Sequence, residues 1–578
     1  MKMLKKALKI LRENRLALFL ILVGSGIWSA TMVKSGLIYD YGMGFWGPNG
    51  HDGIWHIALI KSLAKGSWEI PVFAGETLKN YHVGYDLLLA WFSKLTGINP
   101  ITLYFQIFPP ILALGIGILT YKFVLEWRGS KAQAIWATFF VYFGGSFGWI
   151  VNLIRTGEFG GESMFWAQQA ISTLINPPFA LSLALILCGL IFLTKFLKSQ
   201  KPLNLILCVL FFGVLIQIKV YAGVLVLGGL GVSVAYHLFK EKKTDLVWVF
   251  LGSLALSLVL FLPLNKGSEG LIVFKPLWFL ESMMGLPDRV GWERFYSAMT
   301  NWRLGNIWTK AAPAYLVAFA IFWFGNLGTR AIKGLLIFRW LKQPEKLGWI
   351  EIFFVVVIIA GVGIPMFFLQ KGTPWNTIQF FYYSLFFSGI LAGVALPEIF
   401  EKMRLKTILI HIIIVIVVLL TIPTTIGTLQ HYLPARPPSM ISKGELEALE
   451  FLSQQPSGTI LTYPFDSDKA KEAEANPPRP LYLYESTAYV SAFTDQSVFL
   501  EDQVNLDITG YLWRERRNSV EAFLKSTNLE YVREFLRENN ITYIYWVRGQ
   551  RALIGEVQLG LTKIFENQEV EIFRVTSF

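Results

Sequence analysis

Charge is scarce in this chain. Asp, Glu, Lys and Arg make up 16% of its 578 residues, against about 25% in soluble domains. Hydrophobic residues reach 54% and the mean hydropathy is +0.48, which excludes an ordinary soluble globular protein and fits a polytopic membrane protein. Cysteine is scarcer still. Cys188 and Cys208 both lie in apolar runs, so a disulfide framework and a cysteine metal site are both excluded. HExxH, CxxC, GxSxG, Walker and convincing GxGxxG patterns are missing as well, and nothing invites a nucleotide.

A net charge of +12 invites a nucleic-acid partner, but its distribution rejects one. Residues 430–578 hold 15 Lys/Arg against 21 Asp/Glu, so the basic excess belongs to the apolar part. There, eleven segments are long enough to approach or cross a hydrocarbon core of about 30 Å: 16–33, 101–122, 132–153, 177–195, 203–218, 221–239, 246–263, 312–329, 350–369, 378–396 and 407–427. Six basic stretches, 1–15, 122–131, 195–201, 240–243, 330–346 and 402–406, fall at every second connection and carry 23 Lys/Arg. The positive-inside rule makes these cytoplasmic. The expected topology has a cytoplasmic N-terminus, an uncleaved first span, external loops at 34–100, 154–176, 264–311 and 370–377, and an extracytoplasmic C-terminal region in the plasma (inner) membrane. Bulky Trp28 at the −3 position of the small-residue site WSA argues against signal cleavage.

Beyond the last span, TLQHYLPARPPSM reads as a Pro-rich linker. Helical patterns at 443–455 and 520–540 alternate with strand-like GTILTYPFD and ITYIYWVRG, and the tail reads as a hairpin. The expected fold class is an α-helical polytopic membrane protein of about eleven transmembrane helices with a small C-terminal α/β domain. The expected domains are 1–427, a linker at 428–442, and 443–578.

Chemistry should sit on the outer face, where the loops are long. The first loop carries GHDGIWHIALIKSLAKG. Residues 53–65 predict a helix ended by Gly66 and lying along the interface. Asp52 and His56 are four apart and face the same way, although Asp52 also reads simply as the helix cap. His51 lies beside Asp52, and His82 shares the same loop. Lys219, in IQIKVYAG, stands in a tight external turn between two apolar segments; it reads either as a functional cation or as a snorkelling lysine. LQKGTPWNTIQFFYY gathers Gln370, Lys371, Trp375, Asn376 and Gln379 at the membrane edge, where they could hold a sugar or phosphate. Glu158 and Glu162 sit in a Gly-rich loop. Asp86, in the first turn of a helix at 84–96, is explained by the helix dipole. Glu501, Asp502 and Asp507 read as a solvated acidic loop.

The first loop has an aspartate opening a D-x-x-x-H-x-x-x-x-x-S-L-A-x-G helix, followed by NYHVGYDLLLAWFSKLTGINP. It resembles the first loop of the GT-C superfamily of membrane glycosyltransferases. That resemblance implies a polyprenyl-phosphate sugar donor and an aspartate near it, here Asp52, acting as general base or metal contact. Many members of the superfamily have a second acid directly after that aspartate. This chain has Gly53 there, and Asp40 upstream is a candidate substitute. No cofactor is fixed, and room is left for a divalent cation; the acceptor, whether protein, lipid or glycan, is open. A transporter or flippase of a lipid-linked substrate is the alternative, but no internal repeat is visible and the polar residues gather on one face rather than at the midplane. A non-catalytic membrane scaffold with a ligand-binding outer domain is the other.

Overall fold

The computed structural model describes residues 14–576 apart from 266, 268–269 and 404–405. The basic residues at positions 2–12, and Arg404, which entered the topology argument, lie outside the described residues.

Each of the eleven apolar segments is helical. Seven helices are long and apolar enough to cross a membrane. An eighth candidate is a pair, Lys131–Phe143 and Gly148–Thr156, bent by 43° at its break, and three shorter apolar helices are Arg15–Ala30, Pro202–Ile218 and Asp245–Phe261. This is a multi-pass membrane architecture. The helix Pro374–Lys402 is almost wholly enclosed by its neighbours, whereas Thr407–Tyr432 packs at the periphery.

Two basic residues depart from the expectation of a solvated cytoplasmic segment. Arg330 and Lys333 belong to the continuous run Trp308–Lys342 and both are buried. Arg330 donates to the backbone oxygens of Leu327 and Asn326 and to the side chain of Gln169. Lys333 donates to Ser388 and lies over the Trp323 ring. Buried donors in such a setting need these partners.

The C-terminal region is built on a five-stranded sheet in the order Leu561–Glu566, Val570–Val575, Ile541–Val547, Thr459–Thr462, Ser497–Val498. Its first three strands are antiparallel, as the tail hairpin requires, and the last two pairings are parallel. Lys443–Ser453, Trp513–Lys525 and Leu529–Glu538 are helices. The Pro-rich connection is shorter than expected. Residues 428–432 continue the last apolar helix and Ser439–Ser442 form a strand.

That strand ties the two parts of the chain together. It pairs with Gly42–Phe45 of the first loop, which in turn pairs with Leu37–Tyr39. Gly42 has φ 128, and a Cβ there would lie 2.1 Å from the Ile441 oxygen, so glycine is required for this approach. A second seam runs through the same loop: Val498 N donates to Pro71 O at 2.7 Å, Ala74 N to Val498 O at 2.9 Å, and Glu501 N to Val72 O at 2.9 Å.

The helices Gly84–Thr96 and Tyr489–Thr494 pack on the helix Asp52–Ala64. The expectation of an amphipathic helix lying along the interface is corrected here: Gly53 to Ile60 and Leu63 are all buried. Apolar residues all round mark a helix enclosed by protein. Asp52 is its first residue rather than a cap, because the capping position is His51 and no side chain caps it.

Candidate active site

The buried helix delivers Asp52, Trp55 and His56 to one wall of a cavity of about 340 Å³. Asn80, Tyr81 and His82 form the next wall. Asn176, Lys219, Tyr221, Gln370, Asn376 and Gln379 come from the ends of apolar helices, and Asn505 and Ile508 from the C-terminal region. Phe261, Leu271 and Ile272 make its apolar side. The cavity therefore lies where one set of ends of the apolar helices meets the C-terminal region.

Among the described residues, Asp52 is the carboxylate that lines it. Its side chain is 58% exposed, and His51 Nδ1 lies 3.1 Å from Oδ1. Although open to the cavity, it stands deep enough among protein atoms for desolvation to work against its charge; the charge and hydrogen bond of His51, together with His56 and Lys219, outweigh this and hold its carboxyl below the usual range. The reciprocal effect raises His51 despite its own burial. The His51 ring also stacks on Tyr484, with centroids 5.9 Å apart.

Lys219 is positioned by a break in the helical backbone. Its extended conformation separates Leu215–Ile218 from Val220–Glu241, and it is buried. Its ammonium group donates to Asn176 Oδ1 at 3.3 Å and lies 5.5 Å from the Tyr221 ring centre. From Asn176 a ladder of amides follows the wall. Asn176 Nδ2 donates to Gln379 Oε1 at 3.4 Å, Gln379 to Asn376, and Asn376 to Gln370 Oε1 at 2.8 Å. Gln370 Nε2 closes it on the Ile508 oxygen at 3.3 Å. A cation beside a row of amides suits an anionic group bearing hydroxyls.

His82 also faces the cavity. Burial, and then Lys219, push its imidazole well below the ordinary value, and Nδ1 has no partner. It is therefore neutral and available as a hydrogen-bonding group.

Seven of the sequence candidates thus converge: Asp52, His56, His82, Lys219, Gln370, Asn376 and Gln379. His51 supports Asp52 from beside it. Five do not reach the cavity. Asp40 is exposed in the turn between the strands Leu37–Tyr39 and Gly42–Phe45. Glu158 is exposed. Lys371 points to solvent while its backbone N–H donates to Leu271, and Trp375 is exposed at the surface. Glu162 is buried elsewhere, accepting from Gln169 N at 2.7 Å and Ser172 Oγ at 2.9 Å. Its carboxyl is pushed up to about 7 by burial, against the effect of those bonds.

Some site residues were read otherwise or not singled out from sequence. Asp86, read as a first-turn residue explained by the helix dipole, is buried and bonds His56 instead. Asn176 shows in sequence only as a cap before Pro177 and Pro178, and it does accept from Phe179 N. Asn505 is fixed by Asp502, which accepts from its backbone and side chain at 3.0 and 2.8 Å. The expectation of a solvated acidic loop is corrected for Glu501 and Asp502. Both are buried, and burial pushes both carboxyls up to about 7. Among the described residues no group of three or more His, Cys, Asp or Glu side chains is arranged to hold a metal ion.

No protein-family model matches the chain, and no curated protein matches it by sequence. Solved structures do. The Archaeoglobus fulgidus oligosaccharyltransferase AglB, in complex with an inhibitory peptide and a dolichol-phosphate, aligns over 93% of this chain and 70% of its own, with 12% identity and a TM-score of 0.51. The apo form of the enzyme from that organism aligns over 92% and 69%, with 12% identity and a TM-score of 0.50. The mycobacterial arabinofuranosyltransferase AftD aligns over 98% of this chain and 40% of its own, with 13% identity and a TM-score of 0.51. Nearly the whole chain, C-terminal region included, shares the fold of these proteins.

Proposed function

We propose that the protein is a membrane glycosyltransferase that moves a sugar from a polyprenyl-phosphate donor to an acceptor hydroxyl at the extracytoplasmic face. The observation that carries this reading is the cavity itself. An ionised Asp52 opens into it, with Lys219 and the amide ladder on the wall built from the ends of apolar helices. Its fold neighbours add support, since one of them holds a dolichol-phosphate.

Each group has a task. Lys219 neutralises the donor phosphate, which sits at the end of a lipid chain lying in the bilayer. Gln370, Asn376 and Gln379 bond the sugar hydroxyls, with His82 and Asn176 beside them. Asp52 accepts the proton of the acceptor hydroxyl as its oxygen attacks the anomeric carbon. The bond from that carbon to the phosphate oxygen breaks, and polyprenyl phosphate leaves toward Lys219. With one carboxylate among the described residues that line the cavity, one direct displacement is favoured, and the sugar inverts. On this reading the N-terminus is cytoplasmic, residues 443–578 form an outer domain on a span-bearing region 1–427, and the connection 428–442 joins them at the outer face of the plasma membrane.

The test uses the purified protein in lipid, a panel of polyprenyl-phosphate sugars and crude envelope acceptors. Mass spectrometry follows release of polyprenyl phosphate. Wild type should release it, and Asp52→Asn, folded to the same melting temperature, should lose about a hundredfold or more of that rate. Equal rates in both proteins would remove Asp52 from the reaction, and silence with every donor would overturn the transferase reading.

A further inference from the structure

One helical turn beyond Asp52, His56 lines the same cavity. Its Nδ1 lies 2.7 Å from Oδ1 of Asp86, a carboxyl group with no solvent exposure on its side chain. The other oxygen of Asp86, Oδ2, has no partner. The ring is held from several sides: it stacks on Tyr104, with centroids 5.5 Å apart, meets the edge of Tyr85 at 6.2 Å, and leans on Tyr81. One nitrogen is therefore committed to a carboxylate, and the ring cannot turn. Nε2 makes no hydrogen bond to the described residues and is left as the functional atom.

Packing alone does not explain this pair. A buried carboxyl group with one unsatisfied oxygen costs stability, and an apolar residue would fill the space without that cost. A carboxylate behind a histidine does something an apolar residue does not. It fixes the tautomer, with the proton on Nδ1, and it stabilises the imidazolium when Nε2 is also protonated.

The geometry points to His56, oriented by Asp86, as a second acid–base group that donates a proton from Nε2 to the departing phosphate. This rests on the transferase reading above. As the bond from the anomeric carbon to the phosphate oxygen breaks, the electron pair goes to that oxygen, which takes the Nε2 proton. Asp52 meanwhile takes the acceptor's proton. Exchange of one proton from Asp52 to His56 through solvent restores the starting state. Asp86 is a positioning residue and touches no substrate. The charged and titratable groups around His56 are Asp52, Asp86, His82 and Lys219, with the phenols of Tyr81, Tyr85 and Tyr104. Burial holds the Asp86 carboxyl above its ordinary value, and His56 and Lys219 pull it back.

The test uses the full chain in lipid with the donor that wild type turns over. His56→Ala should lower kcat about a hundredfold or more with KM within about threefold, and added imidazole should restore part of the loss. His56→Gln should abolish the alkaline limb of the pH–rate profile, because that limb reports loss of the donated proton. Asp86→Asn should lower kcat about tenfold to a hundredfold. In ¹⁵N spectra of histidine-labelled protein it should also remove the Nδ1–H form of His56 that wild type shows. Melting temperatures separate these effects from unfolding. Two results would overturn the assignment in an active enzyme: His56→Ala with unchanged kcat, or a loss that imidazole does not rescue while His56→Gln keeps the alkaline limb. An active wild type with a dead Asp52→Asn and an intact His56→Ala would sink this inference alone. A wild type silent with every donor would sink the transferase reading and this inference with it.

Discussion

Lys219 and Asn176, 43 positions apart, meet at 3.3 Å through the ammonium group and the side-chain oxygen. The contact places a cation at the head of the amide ladder that runs to Gln370. A charge-assisted contact of this kind contributes about 1.5–3 kcal/mol, and each 1.4 kcal/mol is about a tenfold change in affinity. Lys219→Ala should therefore raise KM for the lipid-linked donor about tenfold to a hundredfold. Lys219→Arg should recover part of it. Donor titration in the release assay measures both, and an unchanged KM in Lys219→Ala would move the phosphate site elsewhere.

A pH prediction follows from His51. Its bond to Asp52 helps to hold that carboxyl below the usual range, against the opposing effect of burial. A depressed carboxyl stays ionised to lower pH, so a base of this kind works further into acid. His51→Ala removes the hydrogen bond and the positive charge, and the Asp52 carboxyl rises. The acidic limb of kcat/KM should move to higher pH, while the rate at pH 8 should change little. The same sign holds for stability. The contribution of the pair is present above the unfolded carboxylate value of about 3.9 and is lost as pH falls through the lower folded value. Coincident acid limbs in His51→Ala and wild type would show that His51 does not tune Asp52.

Long apolar runs made the multi-pass architecture legible, because such runs are a property of contiguous residues. The first-loop helix, expected at 53–65 with Gly66 ending it and observed at 52–64, and the helix at 84–96 were legible for the same reason. What encloses them was not. A partner that packs on 52–64, the helix Tyr489–Thr494, arrives from the far end of the chain, and no local pattern announces that contact. Lys219 and the 370–379 turn could be picked out as polar residues at the membrane edge, and Asp52 through the resemblance of its loop to a known family. The His56–Asp86 bond spans 30 positions, and a single sequence shows only two separately explicable residues.

Glu162 gives a stability prediction of opposite sign to that of Asp52. Its carboxyl is pushed up to about 7, first by burial, so the folded protein holds a proton that the unfolded chain releases near 4.5. Stability from this group is therefore complete below about 4.5 and is lost as pH rises through 7. Glu162→Gln removes the titration while keeping an oxygen for the Gln169 N–H. The variant should melt higher than wild type at pH 8, and the difference should shrink toward zero by pH 4. Thermal denaturation in detergent at the two pH values decides it. An equal shift at both would mean that packing around Ser172 and Tyr432 sets the effect, not the charge.

Gly53 explains why this chain has no second acid beside Asp52. A Cβ at that position would lie 2.7 Å from Phe105 Cζ and 3.0 Å from Cε1. Phe105 is fully buried and held edge-on against Tyr104 at 4.9 Å, so the ring has no room to retreat. Gly53→Asp would force a side chain into that contact and set a carboxylate against two aromatic faces. Overpacking of this kind costs about 1–3 kcal/mol, before the desolvation of the charge is counted. The variant should express poorly, melt several degrees lower and release polyprenyl phosphate more slowly than wild type. Gly53→Ala, which adds only the Cβ, should show a smaller loss of the same sign. Because Tyr104 also stacks on His56, the displaced ring should disturb His56 as well, and kcat should fall more than KM rises. A Gly53→Asp protein with wild-type melting and a faster rate would mean that the site accepts a paired carboxylate after all, and that Phe105 is free to move.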